Sequence, residues 1–432
     1  EELQNARQKA REYLHADENQ CVSELLASPR PGEALREKIL ATASELVVKS
    51  REQRSKRGTL DAFLQQFGLS NKEGVALMCL AESLLRVPDA DTADKLIAEK
   101  VHSGNWSSHR GQSDSLFVNA STWGLMLTGN IVELDPDITE KPSSWMKRLV
   151  SRMGEPMVRT SMMQAMKIMG GQYVLGRTIK EALKRGPAEN KPGTRFSFDM
   201  LGEGARTMAD AKRYFDAYMM AIEAIGADNL KKSEDQRNVV EANGISIKLS
   251  ALHPRYSELQ RDRVMNELLP QVKTLCAAAA KYDMGLNIDA EEAERLDISL
   301  DIFEALARDP DLRNWQGLGF VLQAYQKRSP HVADWLIALG RDTGRKLMVR
   351  LVKGAYWDTE IKHAQQMGLT DYPVYTRKCH TDLSYQVCAK KLLDARDAIY
   401  PQFATHNAYT VGLILELAGN SNNAEGYEFQ RL

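Results

Sequence analysis

The chain has 432 residues, 27% of them charged and 43% hydrophobic, with a formal net charge of −1. That length allows two or three domains with a sizeable core, and the near-even charge gives no ground for nucleic acid as a main partner. No run approaches the roughly 18–20 apolar residues of a membrane helix, and residues 1–20 are too polar and acidic for a signal peptide, so a cytoplasmic location is expected. Cys21, Cys79, Cys276, Cys379 and Cys388 are odd in number, form no C-x-x-C pair and read as reduced thiols. No phosphate loop, H-E-x-x-H or Cys/His zinc spacing is present, and no metal is expected.

In chain order, residues 1 to about 190 read as almost wholly helical. Helical periodicity runs through 33–50 and 75–86, where Leu77, Leu80, Ala81 and Leu84 share a face; Asn71 and Asp91 suit caps, and 110–113 suits a loop. Residues 1–65 form a charged arm too thin to bury its own apolar stripe, so it wraps either the rest of the chain or a second subunit. Residues 66–190 follow as a helical domain. The basic stretch 49–57 reads as a solvated helix end.

The texture changes at Pro187–Gly193. From 191 to 432, strand-like runs start near Arg195, Ile245, Met284, Gly317, Leu347, Ile399 and Tyr427. Helices intervene at Ser257–Tyr282, Glu291–Arg308 and Thr381–Ala398. The alternating order is α/β and argues for a parallel sheet, closed or doubly wound, and the spacing fits a (β/α)8 barrel.

Strand parity separates two faces. Ile245, Ile247 and Leu249, then Leu286 and Ile288, then Leu318, Phe320 and Leu322 form the apolar one. The opposite face carries Ser246, Lys248 and Ser250, then Asn287 and Asp289, then Gln323 and Arg350. Helices cover the outside of a barrel, so the polar set points inward, near the carboxyl ends where barrel sites lie. Arg350 inside a strand needs an anionic or strongly accepting partner, either a ligand or an acid from another strand. Lys248 fits a Schiff-base lysine or half of an ion pair with Asp289. Lys353 and Gly354, just past a strand end, fit an anionic group or a surface turn, and Thr405-His406-Asn407 lies at the same mouth. Gly317-Leu318-Gly319 lacks the further glycine of a dinucleotide fingerprint.

The motifs DAEE (289–292), FVLQAYQKR (320–328), RLVKGAYWD (350–358), PVYTRK (373–378) and YPQFATHNA (400–408), with ISIKLSALHPRY (245–256), resemble the proline dehydrogenase flavoenzymes. Upstream, 73–90, 104–109 and 115–125 are similar to the helical portion of the bifunctional proline-utilisation proteins. The resemblance implies a distorted (β/α)8 barrel, its C-terminal strands missing from this sequence, and oxidation of L-proline to Δ1-pyrroline-5-carboxylate by hydride transfer to noncovalent FAD. It also implies a membrane quinone as acceptor, hence peripheral contact with the inner face of a membrane. Arg350 would lie by flavin N5, Gln323 at the pyrimidine edge, and Lys353 with Gly354 at the ribityl and phosphate region. Val352, Ala355, Trp357, Thr376, Lys378, Thr405, His406 and Asn407 would contact other parts of FAD. Lys248, Asp289, Ala355, Tyr356 and Leu432 would line the proline pocket, with Arg350, Lys248, Asp289 and Tyr356 nearest the chemistry.

The family continues with an eighth strand and a helix whose paired arginines hold the proline carboxylate. The sequence stops at Leu432, so a fragment of a longer protein is expected, without nucleic acid as a partner and with a homodimer through the arm as an option. Rival readings are a lysine-dependent barrel lyase or aldolase and a non-catalytic helical assembly module.

Overall fold

The computed structural model describes residues 1–54, 174–189, 193–231, 238–419 and 426–431. The chain divides into two compact units, residues 1–51 with 189–432 and residues 52–188. The larger unit begins with three helices, α1 (Glu2–Glu12), α2 (Glu18–Ala27) and α3 (Glu33–Arg54). In the smaller unit, α4 (Ile179–Glu189) starts at Thr178, whose hydroxyl accepts from the Glu181 N–H at 3.2 Å, and carries Pro187 near its end. The sequence features expected at 71–91 and 110–113, and most of the 66–190 domain, lie outside the described residues.

Seven parallel strands follow in chain order: β1 (Ser197–Asp199), β2 (Gly244–Ile247), β3 (Leu286–Ile288), β4 (Leu318–Gln323), β5 (Leu347–Val352), β6 (Ile399–Ala404) and β7 (Glu428–Gln430). Helices α5 (Met208–Asn229), α6 (Leu269–Lys281), α7 (Leu296–Ala307) and α8 (Ser329–Thr343) make the first four crossovers. Helices α9 (Trp357–Gln366) and α10 (Lys378–Asp394) join β5 to β6, and α11 (Ala408–Ala418) joins β6 to β7. Neighbouring strands lie about 4.8 Å apart, so β1 and β5 would be separated by roughly 19 Å in a flat sheet. Yet Arg350 on β5 donates to the Ser197 hydroxyl on β1 at 2.8 Å. The sheet is therefore curled into a half-barrel.

The outer face of the strands is the core. Ile245, Ile247, Leu286, Ile288, Phe320, Val349, Leu351 and Phe403 are fully buried under the helices, each contributing roughly 1.5–3 kcal/mol by leaving water. Local chemistry sets the helix ends. Thr207 and Asp210 form a reciprocal capping box on α5, and Gly344, at φ +64°, ends α8 in a left-handed turn.

Two expected elements differ. The helix expected over Ser257–Tyr282 is broken into a 3-10 turn at Glu258–Gln260, a short helical turn and a π-helical stretch at Val264–Leu268 before α6. Pro270 explains the wide turn, because it cannot donate to the carbonyl four residues back and its ring crowds that group. Strand β2 ends at Ile247, whereas the sequence pattern extends it to Ser250. Leu249–Leu252 form a helical turn instead, held because Ser250 N–H donates to Glu291 Oε1 at 3.0 Å and its carbonyl accepts from Ala205 N–H at 2.8 Å. Ser250 is thus a joint between loops and not an inward strand residue.

The arm lies on its own chain. Helix α1 packs on α8 through Ala6 and Ala10, small enough for close approach. Arg7 donates to the Asp297 carbonyl at 2.6 Å, pairs with Asp301 at 3.1 Å and stacks 5.5 Å from the Trp335 ring centre. Helix α2 buries Cys21 and Leu25 against Tyr375. In α3, Ile39 is fully buried, and a Cβ on Gly412 would come within 3.0 Å of the Ile39 carbonyl.

Candidate active site

The curl brings inward-facing side chains of distant strands into two layers. The lower layer is a chain of amides. Asn287 on β3 donates to Gln402 on β6 at 3.0 Å, and Gln402 donates to Glu428 on β7 at 3.0 Å. Gly319 on β4 is needed here, since a Cβ would fall 1.6 Å from Asn287 Oδ1. Burial raises the Glu428 carboxyl above its usual range, although Tyr400, Gln402 and Gln430 donate to it.

The upper layer, at the carboxyl ends, gathers charge. Lys248 Nζ lies 2.9 Å from Asp289 and 2.7 Å from Asp199. Arg350 donates to Ser246 at 2.8 Å, to Ser197 at 2.8 Å and to the other oxygen of Asp289 at 3.3 Å. Asp289 is therefore shared by two cations, and its side chain is only 14% exposed. Burial works against the Lys248 ammonium, but Asp289 and Asp199 hold it above the ordinary lysine range. Such a lysine stays protonated at neutral pH, which makes it a poor amine nucleophile and a poor proton acceptor. The Schiff-base alternative loses its chemical basis on that geometry.

Beside this cluster, the Tyr356 hydroxyl donates to Glu203 at 3.3 Å, and burial pushes the phenol upward. Gln323, 4% exposed, donates to the Glu291 carbonyl at 2.9 Å and accepts from Ala355 N–H at 3.3 Å. The Val352 carbonyl accepts from Ala324 N–H at 2.8 Å. Gly354 sits at φ +142°, and a Cβ there would meet the Tyr325 ring at 2.4 Å, so only glycine fits. Lys353 and Lys378 both reach Asp382, at 2.5 and 2.7 Å. Burial opposes the charge on Asp382, but the two lysines hold its pKa below the usual carboxylate range. Two cations on one acid leave a local excess of positive charge at this point of the rim.

Other residues expected at the site stand further round the rim. The Trp357 indole donates to the Tyr375 carbonyl at 2.9 Å. Thr376 donates through N–H and hydroxyl to Glu18 of α2. The Thr405 hydroxyl accepts from Asn407 N–H at 3.1 Å, and Asn407 Oδ1 caps α11 by accepting from Thr410 N–H at 3.0 Å, which leaves its amide for other contacts. His406 is exposed beside them. Leu432 lies outside the described residues.

Sequence reasoning did not single out Ser197, Asp199, Glu203, Glu291, Asp382 or Glu18. Parity applied to β1 would have put Ser197 and Asp199 on one face, and the four-residue spacing of Lys378 and Asp382 marks a helical ion pair. Glu18 had no local signal.

Comparisons with known proteins identify the family. Residues 182–432 match the family described as Proline dehydrogenase. This chain belongs to the proline dehydrogenase family. Residues 59–173 match a second family, described as the DNA-binding domain of Proline dehydrogenase; they lie outside the described residues, and that description gives no support to the expectation of a fragment without nucleic acid. Among proline dehydrogenase relatives, the chain is 52% identical over 418 residues to bifunctional protein PutA of Klebsiella aerogenes, covering 96% of this chain and 31% of that protein. It thus spans about a third of the length of such relatives. Proline dehydrogenase 1 of Bacillus subtilis is 28% identical over 266 residues, 60% of this chain and 73% of its own. A crystal structure of a Bradyrhizobium japonicum proline utilization A mutant superposes with TM-score 0.70 at 49% identity, covering 97% of this chain and 41% of that one.

Proposed function

We propose that the chain oxidises L-proline to Δ1-pyrroline-5-carboxylate, with FAD held noncovalently at the half-barrel mouth and a quinone as final electron acceptor. The observation that carries the reading is the Lys248–Asp289–Arg350 cluster, set at the carboxyl ends of the strands in a chain of this family.

The residues fit a flavin. The Arg350 Nε is buried without a hydrogen-bond partner, Gly354 keeps the backbone bare at the rim, and Lys353 with Lys378 outnumber the acid between them. Such a set suits a planar polar ring with an attached phosphate group. FAD, when bound, would supply the acceptor for the hydride leaving the ring carbon next to the proline nitrogen. Arg350 and Gln323 would hold the ring system. Val352, Lys353, Gly354, Ala355, Trp357, Thr376, Lys378, Thr405, His406 and Asn407 would hold the rest.

Lys248 and Asp289 would orient proline, and Tyr356, tethered to Glu203, would pack on its ring with Ala355 beside it. Proline must shed its amine proton before hydride can leave. Because Lys248 is already protonated, that proton goes to solvent or to a carboxylate and not to the lysine. A quinone acceptor implies contact with a membrane surface; among the described residues no helix is long and apolar enough to cross one.

The test is the visible spectrum of the purified protein before and after anaerobic addition of L-proline. Flavin absorbance bleached by proline is expected, and a colourless protein or an unbleached flavin sinks the reading. A second reading concerns residues 59–173, whose family description makes duplex DNA a candidate ligand. Unchanged anisotropy of a labelled duplex at low salt would remove it.

A further inference from the structure

Helix α2 reaches the site through one carboxylate. Glu18 accepts from Thr376 N–H at 3.0 Å to one oxygen and 3.1 Å to the other, and from the Thr376 hydroxyl at 2.8 Å. It also lies 2.5 Å from His380 Nδ1, and its side chain is only 14% exposed. A carboxylate fed by backbone, hydroxyl and imidazole donors is held in a fixed place.

The segment it grips, 371–380, is also held from the barrel side: Lys327 N–H donates to the Pro373 carbonyl at 3.1 Å, Gln326 bridges to Val374, and Val374 and Tyr375 are buried. It lies between α9 and the first turn of α10, and it carries Thr376 and Lys378. Two further ties lead to the rim. Tyr375 N–H donates to the Tyr325 carbonyl at 2.8 Å, while the Tyr375 carbonyl accepts from Trp357. Tyr325 N–H in turn donates to the Lys353 carbonyl at 2.7 Å, and its ring shapes Gly354. Lys327, fully buried, joins the same segment to the arm, pairing with Asp371 and donating to the Ala16 carbonyl at 2.7 Å. Cys21 and Leu25 of α2 complete the contact by packing on Tyr375.

We infer that Glu18 is a positioning residue: it fixes segment 371–380 from the arm, so that the affinity of the rim for its anionic cofactor depends on a helix that contributes no other polar side chain to the rim. This rests on the flavin reading above. The residue acts through Thr376 and His380 and touches neither substrate nor reacting atoms.

The test uses the full chain stripped of flavin and titrated with FAD, read by quenching of flavin fluorescence, together with hydrogen exchange of segment 371–380. Glu18→Ala is expected to weaken FAD binding about tenfold, the effect of losing one charge-assisted hydrogen bond, and to speed exchange in 371–380. Glu18→Gln keeps one acceptor oxygen and should recover part of both. Glu24→Gln, on the same helix but paired with Tyr13, should move neither. Should Glu18→Ala fold poorly, His380→Phe removes a partner from the barrel side. It should weaken binding in the same direction, and the double variant should lose less than the sum.

Faster exchange in Glu18→Ala with FAD affinity unchanged would reduce Glu18 to a structural tether and overturn the inference. Tighter binding would overturn it as well, since the carboxylate would then be occupying a place the cofactor needs. An unmutated chain that binds no FAD brings down the flavin reading itself, and the inference with it.

Discussion

Arg350 donates to Ser197, Ser246 and Asp289 from its two terminal nitrogens, while its Nε stays buried and unpartnered. Methionine at this position keeps much of the volume and removes every donor. Arg350→Met is expected to slow proline-dependent flavin bleaching by about 10²–10³, the usual effect of losing one well-placed donor near developing charge. Stopped-flow bleaching of the flavin-loaded variant measures it, and an unchanged rate removes Arg350 from the chemistry. The inward placing of Lys248, Asp289 and Arg350 was legible in the sequence, because a strand repeats every two residues and each lies on a polar face. Asp289 was legible as a partner for Lys248, but that Arg350 shares it was not. That depends on the curl, which brings β5 across to β1 and β3, and no local pattern records it. Asp199 shares a face with Ser197 by the same parity, but its approach to Lys248 also depends on the fold.

Helix α2 and segment 371–380 form an element whose stability should fall in acid. Burial opposes the charge on Glu18, but His380 and Thr376 outweigh it and lower the carboxyl pKa from its ordinary value near 4.5. A carboxylate depressed in the folded state adds stability above its unfolded pKa and loses it as pH falls through the folded one. Asp297, under Arg328 and Arg7, is depressed in the same direction and belongs to the same window. Hydrogen exchange in α2 and 371–380 should therefore be steady from pH 8 to about 5 after correction for intrinsic rates, then rise below roughly pH 4.5. Glu18→Gln should flatten part of that rise; an identical profile in the variant would falsify the assignment to Glu18. At this scale the strands were legible, since seven apolar runs alternate with helices and all seven formed. The misplaced ends have local causes. Pro270 widens the turn before α6, and Glu291 reaches back to hold Ser250 in a helical turn. The arm contact could not be read, because Glu18 and Thr376 stand 358 positions apart.

For the whole molecule, residues 1–51 belong to the same compact unit as the half-barrel, so a change in the arm should be felt by that unit. Residues 1–31 cover that unit at charged as well as apolar points. Arg7 and Arg11 meet Asp297, Ala16 meets the buried Lys327, and Cys21 with Leu25 covers Tyr375. Without the arm, Lys327 keeps Asp371 but loses the Ala16 carbonyl, and Asp297 keeps Arg328 but loses both Arg7 and Arg11. An under-satisfied buried polar group costs about 1–3 kcal/mol, and the uncovered apolar surface adds to that. A domain of this size shifts by roughly 2–4 °C per kcal/mol, so deleting residues 1–31 should lower the melting temperature of the half-barrel unit by about 5–10 °C. Differential scanning calorimetry of the two chains measures it. If the units melt separately, the transition of residues 52–188 should stay where it was, and if they melt together the single transition should move down. A melting profile that does not change at all would mean that the arm rests on the half-barrel without supporting it, and the dependence of the rim on α2 would then have no energetic footing.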